Sequence, residues 1–183
     1  YGISDSEFIY PTDVAFSDKG DIYVSEYGGN DRVSIFKRDG SFVSSFGSFG
    51  EGQLEFKRPQ AMAVHELTGD IYIADSANHR IVVYSSKGDF IEQFGSAGRA
   101  FGELLYPYGI TFIDSKNFIV SEYGNNRLQI FNTEGESQGL FSGAGTSPGL
   151  LKTPWAIVKT KSGFLIADTG NNRLQVLPDM MSN

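Results

Sequence analysis

A chain of 183 residues, 40% hydrophobic and 20% charged, has the balance of a globular domain large enough to bury a core and not that of a disordered segment. The net charge of −7 and the pI near 4.8 set an average field that repels nucleic acid and anionic membrane, so either partner would need a local basic patch. Cysteine is absent, which excludes a disulfide framework and a thiolate metal site, and no apolar run reaches the roughly 18 residues of a membrane-spanning helix.

The chain starts at Tyr1 and reads as a trimmed piece of something longer. Its opening, YGISDSEFIYP, matches the end of a later glycine-rich link, FGSFGEGQLEFKRP at 46–59. From Pro11 onward one unit recurs. Pro11, Pro59, Pro107 and Pro154 open similar segments at steps of 48, 48 and 47 residues. They read PTDVAFSDKGDIYVSEYGGNDRVSIF, PQAMAVHELTGDIYIADSANHRIVVY, PYGITFIDSKNFIVSEYGNNRLQIF and PWAIVKTKSGFLIADTGNNRLQVL. The first three continue into DGSFVSSFG, KGDFIEQFG and EGESQGLFS. We therefore expect one domain over 1–183, with units at approximately 11–58, 59–106, 107–153 and 154–183, the last incomplete.

Each unit predicts four short strands separated by turn residues. In the second they are AMAV, DIYIAD, RIVVY and FIEQF. Four antiparallel strands per period in the forties make a β-propeller blade, so the expected fold is an all-β propeller of four repeats. DIYIAD places Ile71 and Ile73 on one face and Tyr72 and Ala74 on the other, and both faces are apolar because blades stack face to face. No window of 11–18 residues keeps a helical stripe free of glycine or proline.

Within each unit an acid ends the second strand and an arginine begins the third. The pairs are Glu26 with Arg32, Asp75 with Arg80, Glu122 with Arg127 and Asp168 with Arg173. A tight antiparallel turn returns each arginine to its acid, where a forked guanidinium meets carboxylate or loop carbonyls. A residue needed once per blade has a structural task, so these pairs are expected to close blades and not to grip a ligand.

At this turn ANHRIVVY, GNNRLQIF and GNNRLQVL resemble the NHL repeat, with His79 in the place of the family's histidine and Asp31, Asn126 and Asn172 beside the other arginines. The resemblance covers essentially the whole chain and implies a propeller that usually has six blades. Four repeats then imply a segment of a larger propeller, a small closed ring, or an open arc that self-associates.

Chemistry is sparse. The resemblance extends to amidating lyases that hold zinc with several histidines, yet only His65 and His79 occur here, too few for a three-histidine site. No G-x-S-x-G elbow, EF-hand run or phosphate loop is present, and His65 is expected at the surface of a turn. We expect no catalytic residue, no metal and no cofactor. The links and the turns between second and third strands share one end of the meander, where Tyr27, Arg58, Gln60, His79, Tyr108, Tyr123 and Trp155 vary on a constant frame. Such variation suits a recognition face for a protein or small ligand. The alternatives are a metal-dependent lyase or hydrolase, and the single-stranded RNA binding implied by the NHL propellers of tripartite-motif ubiquitin ligases. Those faces are strongly basic, whereas Lys57, Arg58 and Lys152 make a thin patch.

Overall fold

The computed structural model describes residues 1–178; the end of the fourth unit, 179–183, lies outside the described residues. Fifteen strands form four antiparallel sheets in simple meander order. Blade 1 holds β1 (Tyr10–Phe16), β2 (Ile22–Tyr27), β3 (Arg32–Phe36) and β4 (Phe42–Phe46). Blade 2 holds β5 (Pro59–Val64), β6 (Ile71–Asp75), β7 (Arg80–Tyr84) and β8 (Phe90–Phe94). Blade 3 holds β9 (Pro107–Phe112), β10 (Asn117–Glu122), β11 (Arg127–Asn132) and β12 (Ser137–Phe141). Blade 4 has three described strands, β13 (Pro154–Thr160), β14 (Gly163–Asp168) and β15 (Arg173–Leu177). The fold is an all-β propeller, with β1, β5, β9 and β13 standing side by side in turn around one axis.

Alternation of side chains makes each sheet two-faced, and three apolar cores follow from it. Tyr23, Val33 and Ile35 of blade 1 meet Met62, Ile71, Ile73 and Val82 of blade 2. Tyr72, Ala74, Ile81 and Val83, on the other face of blade 2, meet Ile110, Phe118, Val120 and Phe131 of blade 3. Ile119, Leu128 and Ile130 meet Ile157, Phe164 and Ile166 of blade 4. Each core is capped by an apolar side chain from a link, Phe56, Leu104 or Leu151, all fully buried. The two terminal faces lack this cover among the described residues. Val14 and Phe16 on blade 1, and Val158, Leu174 and Val176 on blade 4, are each more than half exposed.

His65 departs from the surface position expected of it. Its ring is buried between blades 2 and 3, edge-on to Phe112 with centroids 5.0 Å apart. Nδ1 accepts the Leu67 and Thr68 backbone N–H groups, so the proton sits on Nε2 and is donated to the Ser115 carbonyl at 2.9 Å. The neighbouring blade supplies both the ring contact and the acceptor, and neither is visible within the turn itself.

A candidate ligand-binding face

The links fix the geometry of one end of the propeller. In each blade the arginine Nε donates to its acid, at 2.7 Å for Arg32–Glu26, 2.8 Å for Arg80–Asp75, 2.5 Å for Arg127–Glu122 and 2.7 Å for Arg173–Asp168. The terminal nitrogens then reach carbonyls of the link that precedes the blade. Arg80 donates to Glu51, Gly52 and Glu55, and Arg127 to Arg99, Ala100 and Glu103. Arg32 treats the N-terminal segment as one more link, donating to Ile3, Ser4 and Glu7. The four acids are fully buried, and each also accepts a backbone N–H just ahead of its proline, from Ile9, Lys57, Leu105 and Lys152. These residues are saturated by the fold.

A second anchor joins each link to the blade before it. Asp31 Oδ1 accepts the Arg58 N–H at 2.6 Å, His79 Nδ1 the Tyr106 N–H at 3.1 Å, and Asn126 Oδ1 the Thr153 N–H at 2.8 Å. Arg58, Tyr106 and Thr153 are all left-handed, with φ of 63°, 50° and 43°, a conformation that costs a non-glycine residue and persists where surrounding bonds impose it. Tyr10 occupies the same place in blade 1, and it is extended and paired with Tyr27. Turn chemistry differs between blades in the same spirit. Blade 1 turns on Gly28 and Gly29, both at positive φ, whereas blades 2, 3 and 4 turn on left-handed His79, Asn126 and Asn172.

On this frame lies a chain of stacked rings and one cation that runs from blade 1, through the link into blade 2, to blades 3 and 4. Tyr10 stacks on Tyr27 with centroids 5.4 Å apart. The Arg58 guanidinium stands 5.3 Å from the Tyr27 ring and 5.5 Å from the Tyr108 ring. Tyr108 stacks on Tyr123 at 4.6 Å and meets Trp155 edge-on at 4.9 Å. Gln60 Oε1 accepts Arg58 Nε at 3.3 Å. Tyr27, Arg58, Gln60, Tyr108, Tyr123 and Trp155 thus converge. Tyr108 is buried and its phenol is pushed up by desolvation, an effect that the nearby Arg58 charge counters. Trp155 remains 38% exposed.

His79 is set apart from this ladder. Its ring packs edge-on to Tyr106 at 4.5 Å while Nδ1 holds the Tyr106 backbone, and burial followed by the Lys57 charge lowers its pKa. That is the inter-blade task Asp31 and Asn126 perform in their blades.

Two functional candidates escaped the sequence reading. Tyr10 extends the ladder, and the signal for it was its place before Pro11, matching Arg58 before Pro59. Asp13 lines a cavity of about 590 Å³ among the four inner strands and, among the described residues, is the only carboxylate on its wall. Its counterparts two residues after the later prolines are Ala61, Gly109 and Ala156, so the repeat alignment marks it as an intruder. Burial pushes the Asp13 carboxyl above its ordinary value, against the bonds its oxygens accept from the Met62 and Val14 N–H groups. Among the described residues no three His, Cys, Asp or Glu side chains cluster closely enough to hold a metal ion.

The chain has measurable relatives. A family model described as a 6-bladed beta-propeller matches residues 4–97. Protein brain tumor of Drosophila melanogaster is 31% identical over 75 residues, which are 41% of this chain and 7% of that protein. A streptogramin B lyase structure superposes with a TM-score of 0.71 at 17% identity, over 98% of this chain and 54% of that one. Virginiamycin B lyase from Staphylococcus aureus gives 0.65 at 21% identity, over 94% and 56%. At such identities the two lyases share the fold alone, and this chain spans little more than half of either. With NHL-type repeats, a propeller ring and a family model covering just over half its length, the chain belongs to the 6-bladed beta-propeller family DUF5128.

Proposed function

We propose that the chain is a non-catalytic binding or scaffold module, acting as one domain, that takes a protein or small ligand on the end of the propeller bearing Tyr108 and Trp155. The observation that carries this reading is the ladder from Tyr10 to Trp155, which joins blades 1, 3 and 4 through Arg58 of the link into blade 2 and, by its bond to Gln60, touches blade 2 on the same end. The repeated arginines support it by exclusion: their donors are consumed by acids and link carbonyls, whereas the variable residues at the same end are not tied into that scheme. Aromatic side chains and arginine are the residues that most often anchor recognition, because they offer large, stiff contact area at low entropic cost. Single-stranded RNA is a weaker candidate. A phosphate chain is gripped by several cations, and Arg58 is the one cation within the ladder.

A screen of neutral, cationic and anionic fragments and short peptides, read at the indole of the only tryptophan, tests the reading. Hits are expected to move the Trp155 signal and to vanish in a Tyr108→Ala/Trp155→Ala variant, read there by calorimetry, that keeps its circular dichroism spectrum. Hits that leave Trp155 unmoved and map to the cavity of about 420 Å³ at the opposite end, lined by Lys19, Leu67 and Lys87 among others, would overturn it.

A further inference from the structure

We infer that the ligand of this face carries a single carboxylate on a flat apolar body, with Arg58 gripping the carboxylate and the body lying against Tyr108 and Trp155. The inference rests on the reading of this end as the binding face and adds the chemistry of what is bound.

Arg58 is held by two rings and one amide. Tyr27 and Tyr108 stand within 5.5 Å of the guanidinium carbon, and Gln60 takes Nε. Among the described residues the two terminal nitrogens make no hydrogen bond and no carboxylate lies within ion-pairing distance. This sets Arg58 apart from the four repeat arginines, each of which donates to an acid and to two or more carbonyls. Its neighbour Lys57 is also spoken for, by Glu51 at 2.8 Å. Arg58 is half-buried, so its unpaired charge has given up part of its hydration without receiving a counter-ion.

The geometry selects the partner. A guanidinium flanked by rings and tied at Nε has one edge left, the pair of terminal N–H groups, and that edge matches the two oxygens of a carboxylate in its own plane. The stacking also removes the rotamer freedom that an exposed arginine loses on binding, so the fork is preorganised. Beyond the fork, Tyr108 and the half-exposed edge of Trp155 offer a flat apolar surface to whatever bears the carboxylate. One cation answers one negative charge. In a chain of net charge −7, a ligand with several charges meets growing repulsion and finds no second cation in the ladder. The same chemistry is presented by a free aromatic acid and by the C-terminus of a peptide ending in an aromatic residue.

The test titrates the whole chain with N-acetyl-phenylalanine, with its amide, and with the peptide Ala-Ala-Phe bearing a free or an amidated C-terminus, each read by Trp155 fluorescence. The acid is expected to bind at least tenfold more tightly than the amide. Arg58→Ala should erase that ratio while leaving the amide's own affinity in place, and Arg58→Lys, which keeps the charge but not the fork, should fall between. If Arg58→Ala does not fold, the acid-to-amide ratio on the unmutated chain decides alone. Tighter binding of Ala-Ala-Phe than of N-acetyl-phenylalanine identifies a peptide terminus; the reverse order identifies a free acid. Equal binding of acid and amide overturns the carboxylate, as does inorganic phosphate displacing the acid at equal concentration. A face that answers the fragment screen but neither phenylalanine probe rejects this ligand class and spares the binding face. A screen without any response at Trp155 rejects both.

Discussion

Blades 2 and 4 carry the same hairpin, acid then asparagine then arginine, and the same hydrogen bonds within it. Their surroundings differ. Every residue of RIVVY in blade 2 is buried, while RLQVL in blade 4 alternates between half-buried and exposed. The Arg80 side chain keeps 8% of its surface and Arg173 28%. Burial pushes the Asp75 carboxyl up and outweighs the bonds from the Lys57 N–H, Asn78 and Arg80. At Asp168 desolvation pushes the same way, but the bonds from Asn171, the Lys152 N–H and Arg173 together win, and the carboxyl lies below its ordinary value. One local sequence thus makes one local structure, and the neighbouring blade sets its energetics.

The difference can be broken residue by residue. The largest effect is expected from Arg80→Ala, which strands Asp75 in a dry site and should cost about 3–5 kcal/mol in urea unfolding. Arg173→Ala should cost roughly 1–2 kcal/mol, between the buried and exposed limits. Equal losses would show that the hairpin alone, and not the adjacent blade, fixes the value of the pair.

Removing an inter-blade acceptor comes next. Asn126→Ala leaves the Thr153 N–H unpaired beside a left-handed residue and should cost about 1–3 kcal/mol. Asn172 holds the same left-handed position in the last blade with an exposed side chain, so Asn172→Ala loses only the backbone preference of asparagine and should cost about 1 kcal/mol or less.

The two carboxyls should also answer pH with opposite sign. A folded-state value below the unfolded one gives stability that is present above the ordinary carboxylate range and is lost as pH falls through the folded value. The advantage of the unmutated chain over Asp168→Asn should therefore shrink on acidification. Asp75 has the raised value, so its charged form is disfavoured by folding and protonation relieves that cost. The advantage over Asp75→Asn should grow as pH falls from its raised folded value to the ordinary carboxylate range, just above the window in which the Asp168 advantage is lost. Denaturation curves at a series of acid pH values measure both, and parallel trends would remove the distinction between the blades.

The smallest change in stability is expected at the open face. Leu174→Lys with Val176→Lys should alter unfolding by no more than about 0.5 kcal/mol each. Any concentration-dependent self-association of the chain through this face should be abolished by the same pair in light scattering, because exposed apolar sheet invites pairing. Association that persists in the variant would place the contact elsewhere.

The fold was legible because the chain repeats itself: four prolines, four acids and four arginines in step fix strand order, and alternation within DIYIAD assigns its two faces. What could not be read depends on contacts between units. The left-handed backbone at Arg58, Tyr106 and Thr153 carries no glycine or asparagine to announce it, since the acceptor that holds it sits on another blade. His65 looked like a turn residue because the ring and carbonyl that bury it come from blade 3. The shared end of the candidate face followed from the meander. The partners within the ladder did not, for Tyr27 and Tyr108 lie on either side of Arg58 only once three blades are in place.

The amides of Arg58, Tyr106 and Thr153 have a use beyond holding links. Among the described residues each is donated across a junction and to nothing else, so its exchange with deuterium reports the opening of one seam: blade 1 from 2, blade 2 from 3, and blade 3 from 4. A repeat array whose units touch only their neighbours loosens from its ends, and these three clocks would run at different rates if it does. The molecule carries its own gauge of which seam gives first.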